Sequence, residues 1–489
     1  MQVGAGAELN LTNLGSRART AIGWKFLSQG LTTGLQTISS IMLARLLEPK
    51  DFGILGMALM VTGLANIFRD LGLGQALIQR KSLEKTHLVS AYWGTMVMGA
   101  LLAGLTLLLA PYIGEFFREP RMIPVLRVMS ITFVLSPFAT IPNAMLQREL
   151  DFKRPLYAAV AGAVAYAAVG LAMALHGYSY WSLAGALLAS TIASVVAICI
   201  TTRHLPPLIP CFRGLRDLYG FGVGITGAGF FNYIAQQADY FVVGRWLDSA
   251  QLGLYTRAFT LVHTPVLQTG GALSSILFPA FAKMQSEPER ARSTYSKIAS
   301  CIALVLFPGL TLLAVSASEL VPVVFGEQWL GAVVPIRIMA LAGMARGLLI
   351  PCGSLINAFG RVRQAALVQL LYAVLLFGAA RLGVRWGING VAVGAATALL
   401  SIGIPFFYLC KACCGVTAGD LVRASSGGLV CSVAVAAFAW ESRSLLQHAG
   451  AKIVPVLAGT LLAGLVGWLL SLRWNPFQDW RELYRLVRR

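Results

Sequence analysis

The sequence predicts an all-helical, polytopic membrane protein with about fourteen transmembrane helices, arranged as two parallel six-helix repeats followed by two further helices. Hydrophobic residues make up 57% of the 489 residues and charged residues 12%, so the chain is far more apolar than a soluble domain. Apolar segments of about 20 residues, the length that crosses a bilayer, recur along the chain. The segment from Arg45 to Ile54 also returns, without a gap, as Arg245 to Leu254. This internal duplication is typical of membrane transporters.

Each apolar segment is predicted to be a helix, because only helices and closed barrels satisfy the backbone in lipid. Barrel strands would be shorter and would alternate strictly between apolar and polar residues, which these segments do not. The predicted helix cores, in chain order, are 22–43, 52–68, 91–113, 123–145, 156–175, 181–201, 221–243, 254–278, 298–317, 333–356, 365–380, 388–409, 426–440 and 453–472.

The charge of the loops predicts the orientation in the membrane. The net charge of +19 would suit a nucleic-acid ligand in a soluble protein. In a polytopic protein, an excess of basic residues is instead a topology signal, because cytoplasmic loops collect lysine and arginine. Placing both termini in the cytoplasm puts most of the 39 basic residues on that side. The first twenty residues lack the apolar core of a cleaved signal peptide, so none is expected.

The duplication divides the predicted chain into lobes. Each repeat has an even number of spans, so the two repeats share one orientation. The predicted segments are a cytoplasmic N-terminal stretch 1–20, a first lobe 21–205 with helices 1–6, a second lobe 212–415 with helices 7–12, two unmatched helices in 424–473 and an amphipathic cytoplasmic tail 474–489.

Polar side chains follow one face of helix 1 and recur on helix 7. Lys25, Gln29 and Gln36 are spaced so that they share a helical face. The 200-residue offset places Asn232 and Gln236 at matching positions on helix 7. Such faces are costly against lipid, so they are expected to line a hydrated cavity between the repeats. The alternative is hydrogen bonding between packed helices without a cavity.

Three charged residues on helices of the predicted second lobe are candidates for a functional role. Asp239 is on helix 7, Arg257 is about one turn inside helix 8, and Arg346 is near the middle of helix 10. Asp239 is available as a partner for Arg257. Arg346 has no charged counterpart in the first repeat, where Ser136 holds the matching position. Because an intramembrane charge is expensive, Arg346 is the strongest single candidate for a functional residue.

A basic and an acidic residue recur together at the end of the first helix of each repeat. Arg45 is followed by Glu48, and Arg245 by Asp248. Recurrence in both repeats favours a structural or gating role, such as a hinge or an anchor at the membrane surface.

Other motifs favour ordinary packing. Gly72 and Gly74 follow a membrane helix rather than a strand, so they do not form a dinucleotide-binding loop. The cysteines near Cys410 have no nearby histidine or acid, and packing explains them better than metal binding. His263 is interpreted as a hydrogen-bonded interior histidine. We expect no metal site, cofactor or catalytic residue.

Several motifs together resemble those of the Wzx-like oligosaccharide flippases. They are IMLARLLEPKDFG at 41–53, DLGLGQALIQR at 70–80, LQRELDFKR at 146–154, QAD at 237–239, LYTRA at 254–258 and GEQW at 326–329. More narrowly, the chain is similar to the WzxC-type lipopolysaccharide or exopolysaccharide exporters of the multidrug/oligosaccharidyl-lipid/polysaccharide superfamily. The resemblance covers about residues 20–415, and residues 416–489 match only in hydropathy.

The resemblance implies a MATE-like, two-lobed, alternating-access exporter rather than an enzyme. Its substrate would be an oligosaccharide linked to polyprenyl pyrophosphate, moved from the cytoplasmic to the periplasmic leaflet of a bacterial inner membrane. A polysaccharide polymerase and a chain-length regulator would be partners of the transporter, itself a monomer surrounded by membrane lipid. In the cationic cavity that such proteins share, Lys25, Arg257 and Arg346 would bind the pyrophosphate. Gln29, Gln36, Asn232 and Gln236 would contact sugar hydroxyls.

Two other classes stay open. A drug or cation antiporter of the same superfamily would use a buried carboxylate, and Asp239 is nearly the only intramembrane acid. A membrane polymerase or ligase would need a large outer loop with clustered arginine, histidine or acid, and the sequence has none.

Overall fold

The structure, a computed structural model, describes residues 11–80, 82–149, 151–202 and 209–474, and these form helices joined by short connections. Its contacts divide the chain into a first unit ending at Tyr233 and a second beginning at Ile234. The boundary lies inside a continuous helix, whereas the sequence analysis placed it between 205 and 212. Residues of that helix before the boundary pack on the first unit, since the Tyr233 hydroxyl donates to the carbonyl of Met60 at 2.9 Å.

The helices in the first half of the chain are α1 (Leu11–Leu46), α2 (Pro49–Asp70), α3 (Leu73–Gln79), α4 (Lys85–Phe117), α5 (Met122–Met129), α6 (Ile131–Leu135), α7 (Pro137–Arg148), α8 (Lys153–Leu175), α9 (Tyr180–Thr202) and α10 (Leu215–Trp246). The second half contains α11 (Ser249–Ala282), α12 (Pro288–Val324), α13 (Val333–Ala358), α14 (Val362–Gly383), α15 (Gly387–Cys414), α16 (Ala418–His448) and α17 (Ile453–Trp474).

The predicted helical architecture is confirmed, and each predicted core lies inside a helix except the fourth. That core is divided among α5, α6 and α7, which bend by 43° at Ser136. Pro137 and Pro142 explain the break, because proline removes a backbone donor and clashes with the preceding turn.

The predicted number of fourteen spans is not confirmed. Among the described residues, nine helical stretches are long and apolar enough to cross a membrane, or ten if the bent segment counts as one span. The helices α1, α10 and α11 are not among those nine. Two of them, α1 and α10, carry the predicted polar faces, and polar side chains lower the apolarity of a span.

The packing of the helices repeats between the two halves of the chain. In the first unit, α2 packs on α5 and α9, α4 on α5, and α8 on α9. In the second unit, the equivalent helices make equivalent pairs: α11 packs on α13 and α15, α12 on α13, and α14 on α15. Large apolar side chains such as Leu108 and Ile200, each at least 70% exposed, point outward, as a helix surrounded by lipid requires.

The two unmatched helices α16 and α17 dock on α12. The backbones of α12 and α16 approach closely at Gly428, where an added Cβ would lie 2.6 Å from the carbonyl oxygen of Ala303. The indole nitrogen of Trp468 donates to the carbonyl of Leu304 at 2.9 Å. Near the other end of α12, Arg443 forms a salt bridge with Glu319. The added helices are therefore an integral part of the second unit.

Candidate functional site

A buried carboxylate lies at the centre of a polar cluster in the second unit. Asp239, on α10, is only 3% exposed. The hydroxyl of Tyr255 donates a hydrogen bond to its Oδ2 at 2.8 Å, and the backbone amide of Tyr240 donates to its Oδ1 at 3.0 Å. Buried charge is tolerated when such bonds satisfy it. The neighbouring rings of Tyr240 and Tyr255 meet edge to face, with centroids 5.7 Å apart.

Arg346 belongs to the same cluster. It lines a small cavity together with Asp239 and Tyr372, and it interacts electrostatically with the Asp239 carboxylate. The structure thus brings together two charges that lie 107 residues apart (239 to 346) in the sequence. An acid and a base that line the same cavity and attract each other lower the cost of holding either one within a membrane protein.

His263 also lines this cavity, and the interpretation of a hydrogen-bonded interior histidine is wrong for one of its ring nitrogens. The residue is 5% exposed, and its Nδ1 has no hydrogen-bond partner among the described residues. Its ring lies 4.2 Å from that of Phe259, centroid to centroid. The imidazole therefore packs on the ring of Phe259 and lines the cavity with one ring nitrogen unsatisfied.

Arg257 does not have the partner that the sequence analysis considered. The carboxylate of Asp239 is bonded to Tyr255 and adjoins Arg346 instead. The guanidinium of Arg257 lies over the rings of Trp329 and Phe325, 5.5 Å and 5.7 Å from their centroids. Trp329 is fully buried, so the two rings form a rigid aromatic platform beneath the guanidinium of Arg257.

The polar residues predicted on helices 1 and 7 lie on exposed faces. Gln29, Gln36, Asn232 and Gln236 are all exposed. The amide of Gln29 donates to a neighbouring threonine hydroxyl on the same helix at 3.2 Å. The side chain of Lys25 lies outside the described part of the structure. A cavity shared by these residues and the Asp239 cluster stays a prediction.

The recurring acidic residues are at the starts of helices. Asp248 precedes α11, and its Oδ1 accepts from the backbone amide of Gln251 at 2.7 Å. Glu48 precedes α2, and its backbone amide donates to Asp51 at 3.1 Å. Each therefore takes part in capping the helix that follows.

The recurring basic residues lie at the ends of the preceding helices. Arg45 is exposed in the last turn of α1, and Arg245 lies over the ring of Trp246, 5.9 Å from its centroid. A cation in a last turn also complements the negative end of the helix.

Sequence analysis missed a polar cleft in the first unit. The cleft has a volume of about 420 Å³ and is bounded by α2, α3, α7 and α10. Its polar lining includes Asn66, Asp70, Gln75, Thr140, Asn143 and Gln147. Asn66 and Asp70 on α2 are spaced by four residues, as are Asn143 and Gln147 on α7, so the members of each pair share a helical face. This spacing of polar residues is visible in the sequence and is the signal that could have predicted the cleft.

The fold is shared with known transporters of lipids and drugs. The lipid II flippase MurJ, in an inward closed conformation, matches with a TM-score of 0.75 at 13% identity, over 96% of this chain and 100% of that one. A multidrug resistance MATE family transporter in an inward-facing conformation matches with a TM-score of 0.63 at 17% identity, over 77% of this chain and 94% of the other. At these identities the similarity shows a common fold.

Similar sequences come from polysaccharide biosynthesis. The lipopolysaccharide biosynthesis protein WzxC of Escherichia coli strain K12 is 28% identical over 356 residues, which cover 71% of each chain. The succinoglycan biosynthesis transport protein ExoT of Rhizobium meliloti strain 1021 is 26% identical over 475 residues, which cover 92% of each chain. A model of the polysaccharide biosynthesis protein family matches residues 42–334, more than half of the 489 residues, and the chain therefore belongs to that family.

Proposed function

We propose that this protein is a flippase for polyprenyl-pyrophosphate-linked oligosaccharides. It moves the repeat units from the cytoplasmic to the periplasmic leaflet of a bacterial inner membrane, by alternating access, for exopolysaccharide or lipopolysaccharide biosynthesis. A membrane-bound polysaccharide polymerase is the natural consumer of the flipped product.

One observation carries the proposal: nearly the whole chain has the fold of a lipid II flippase, while its sequence aligns with proteins of polysaccharide biosynthesis, one of them a transport protein. The structural match covers 96% of the chain, and the match to a succinoglycan transport protein covers 92%. Fold alone does not fix function, because one fold hosts many activities. Here, the fold of one transporter and the sequence of another both point to a lipid-linked saccharide.

The cationic residues of the second unit suit a diphosphate. Arg257 lies over the rings of Trp329 and Phe325 and supplies one cation, and the guanidinium group is well suited to phosphate recognition. Arg346 is the second cation, with Asp239 beside it. An anionic ligand would compete with the carboxylate for Arg346, so binding and release can be coupled to a rearrangement of that pair.

A drug or cation antiporter is the competing function, and the surroundings of Asp239 disfavour it. A cation site needs carboxylate oxygens that can face a ligand. Here one oxygen accepts from Tyr255, the other from the amide of Tyr240, and Arg346 already supplies a positive charge. The buried acid is thus occupied by groups of the protein itself.

Deletion of the gene in its own bacterium tests the proposal. Lipid-linked repeat units should accumulate in the membrane and polymer should disappear from the cell surface, both measured by mass spectrometry of lipid extracts and by carbohydrate analysis of the surface. Complementation with Arg346→Ala should fail, whereas complementation with Arg385→Ala should succeed, because Arg385 is exposed and lies outside the cluster. Normal polymer and unchanged lipid-linked oligosaccharide in a strain with no second flippase would refute the proposal.

A further inference from the structure

We propose that the polar cleft of the first unit is the binding subsite for the neutral sugars of the transported oligosaccharide. The inference rests on the proposed function and extends it, because it assigns sugar recognition to side chains other than the cationic residues. The cleft lies entirely within the first unit, and its lining comes from α2, α3, α7 and α10. Its volume of about 420 Å³ falls in the range of about 300–1,000 Å³ that is usual for small-molecule sites.

The lining is rich in side-chain amides that are available for a ligand. The amides of Gln75, Asn143 and Gln147 make no hydrogen bond to another described residue. Each amide offers two donors and an acceptor, so it can pair with a hydroxyl in either direction. Vicinal sugar hydroxyls need donors and acceptors side by side, and three amides around one cleft supply both.

The acidic wall of the cleft is neutralised and fixed. Arg69 forms a two-point pair with Asp70, with Nε to Oδ1 at 2.8 Å and NH2 to Oδ2 at 3.0 Å. The same guanidinium donates to the Oδ1 of Asn66 at 2.8 Å, which leaves the NH2 group of that amide as a donor. A polar wall held in place in this way loses little entropy when it binds a ligand.

The chemistry of the lining selects against other substrates. A diphosphate needs cations, but the lining contains the carboxylate of Asp70, and its neighbour Arg69 is already engaged with that group. A neutral, hydroxyl-rich ligand matches a cleft of amides, two threonine hydroxyls and a compensated carboxylate.

The backbone between α2 and α3 is built to complete the cleft. Leu71 and Gly72 both have left-handed backbone conformations, with φ of 41° and 67°. Such a pair reverses the chain sharply, and glycine adopts this conformation at little cost. Gln75, in the first turn of α3, lines the same cleft as residues of α2.

Binding by the purified protein in lipid nanodiscs tests the assignment. The probe is the oligosaccharide released by mild acid from the lipid-linked intermediate of the deletion strain, and inorganic pyrophosphate is the second ligand. Asn143→Leu and Gln75→Leu should each weaken oligosaccharide binding by about 10-fold or more, because each leaves sugar hydroxyls unpaired. Pyrophosphate binding should be unchanged in both variants. The matched control is Gln79→Leu, which removes an exposed amide on α3 that does not line the cleft.

Each result separates the inference from the function on which it rests. Calorimetric affinities that stay at the wild-type value in Gln75→Leu, whose exposed side chain is not needed for folding, would overturn the sugar subsite. So would a parallel loss of pyrophosphate binding, or an equal loss in Gln79→Leu. In any of these cases, accumulation of lipid-linked oligosaccharide in the deletion strain would still support the flippase. Absence of that accumulation would remove the proposed function itself, whatever the affinities.

Discussion

Arg443 and Glu319 form a salt bridge with Nε and Oε1 2.8 Å apart, joining helix α16 to α12 across 124 residues of sequence. The side chains are 17% and 6% exposed, and Gln447 donates to the same carboxylate oxygen at 3.2 Å. Breaking a buried pair by removing one partner costs about 3–5 kcal/mol. Arg443→Met should therefore lower the Tm of the purified protein in detergent by several degrees.

Replacing both Glu319 and Arg443 tests whether the lower Tm of Arg443→Met comes from the unpaired charge of Glu319. The double variant Glu319→Leu with Arg443→Met should recover most of the lost Tm, since apolar residues of similar volume can replace a buried pair at little cost. A Tm of Arg443→Met equal to that of the wild type would show that the pair does not hold α16 on α12.

The pair of Asp239 and Arg346 should show a coupling energy. Arg346→Met leaves a buried carboxylate without its cation, and Asp239→Asn leaves a cation without its carboxylate, so each should lower the Tm. Because neighbouring residues are coupled by about 0.5–3 kcal/mol, the double variant should be less destabilised than the sum of the single variants. The measurement is a double-mutant cycle of thermal unfolding in detergent.

Polymer export distinguishes a structural role from a transport role for the same pair. Every variant without Arg346 should fail to export polymer, including the double variant, in which the unpaired charge has been removed. Export by that double variant at the wild-type level would mean that Arg346 is needed only to neutralise Asp239.

The cap formed by Asp248 should contribute to stability without contributing to transport. Asp248→Ala removes the acceptor for the Gln251 backbone amide at 2.7 Å, and loss of an N-cap typically costs about 1 kcal/mol. Asp248→Asn should be nearly neutral, because asparagine retains a side-chain oxygen at this position. Thermal unfolding and polymer export of both variants are the measurements. Lost export from stable Asp248→Asn protein would instead favour a gating role.

The sequence predicts this helical framework well because long apolar segments have few alternatives in lipid. The repeat also places Glu48 and Asp248 at equivalent sites, and both take part in helix starts. The polar cluster around Asp239 could be predicted only in part. The charges of Asp239 and Arg346 were visible, but their proximity depends on how α10 packs with α13, and no local spacing carries that information.

The polar cleft was harder to predict because amides are ambiguous in a membrane sequence. Asn143 and Gln147 lie near the end of a helix, where polar residues are also expected to face water. The spacing of four residues placed them on one face, yet only the left-handed turn at Leu71 and Gly72 brings Gln75 opposite them. Long-range ion pairs such as that of Glu319 with Arg443 have no sequence signal at all.

The orientation predicted from loop charge can be tested with enzyme fusions. Alkaline phosphatase fused after Arg489 should be inactive, because the charge of the loops predicts that both termini are cytoplasmic. The same enzyme fused near Gly177, between α8 and α9, should be active in the periplasm. Phosphatase activity of whole cells, normalised to the amount of fusion protein, is the measurement. The reverse pattern would invert the membrane orientation and with it the direction of transport.

The aromatic platform beneath Arg257 should affect how strongly this residue binds pyrophosphate and therefore how well the protein exports polymer. Arg257→Ala should abolish export. Arg257→Lys keeps the charge but loses the planar fork and its stacking on Trp329 and Phe325, which lie 5.5 Å and 5.7 Å from the guanidinium. A cation–π contact contributes about 0.5–2 kcal/mol, so affinity for pyrophosphate should fall by roughly 2- to 30-fold in Arg257→Lys.

Export and Tm measured together separate this effect from misfolding. Arg257→Lys should unfold within a few degrees of the wild type, since its charge remains in place. Trp329→Ala should instead lower the Tm strongly, because truncating a fully buried tryptophan typically costs about 3–5 kcal/mol. If Arg257→Lys exports polymer and binds pyrophosphate as the wild type does, the positive charge alone suffices and the stacked geometry has no part in transport. If Arg257→Ala also exports normally, the diphosphate is bound by other residues.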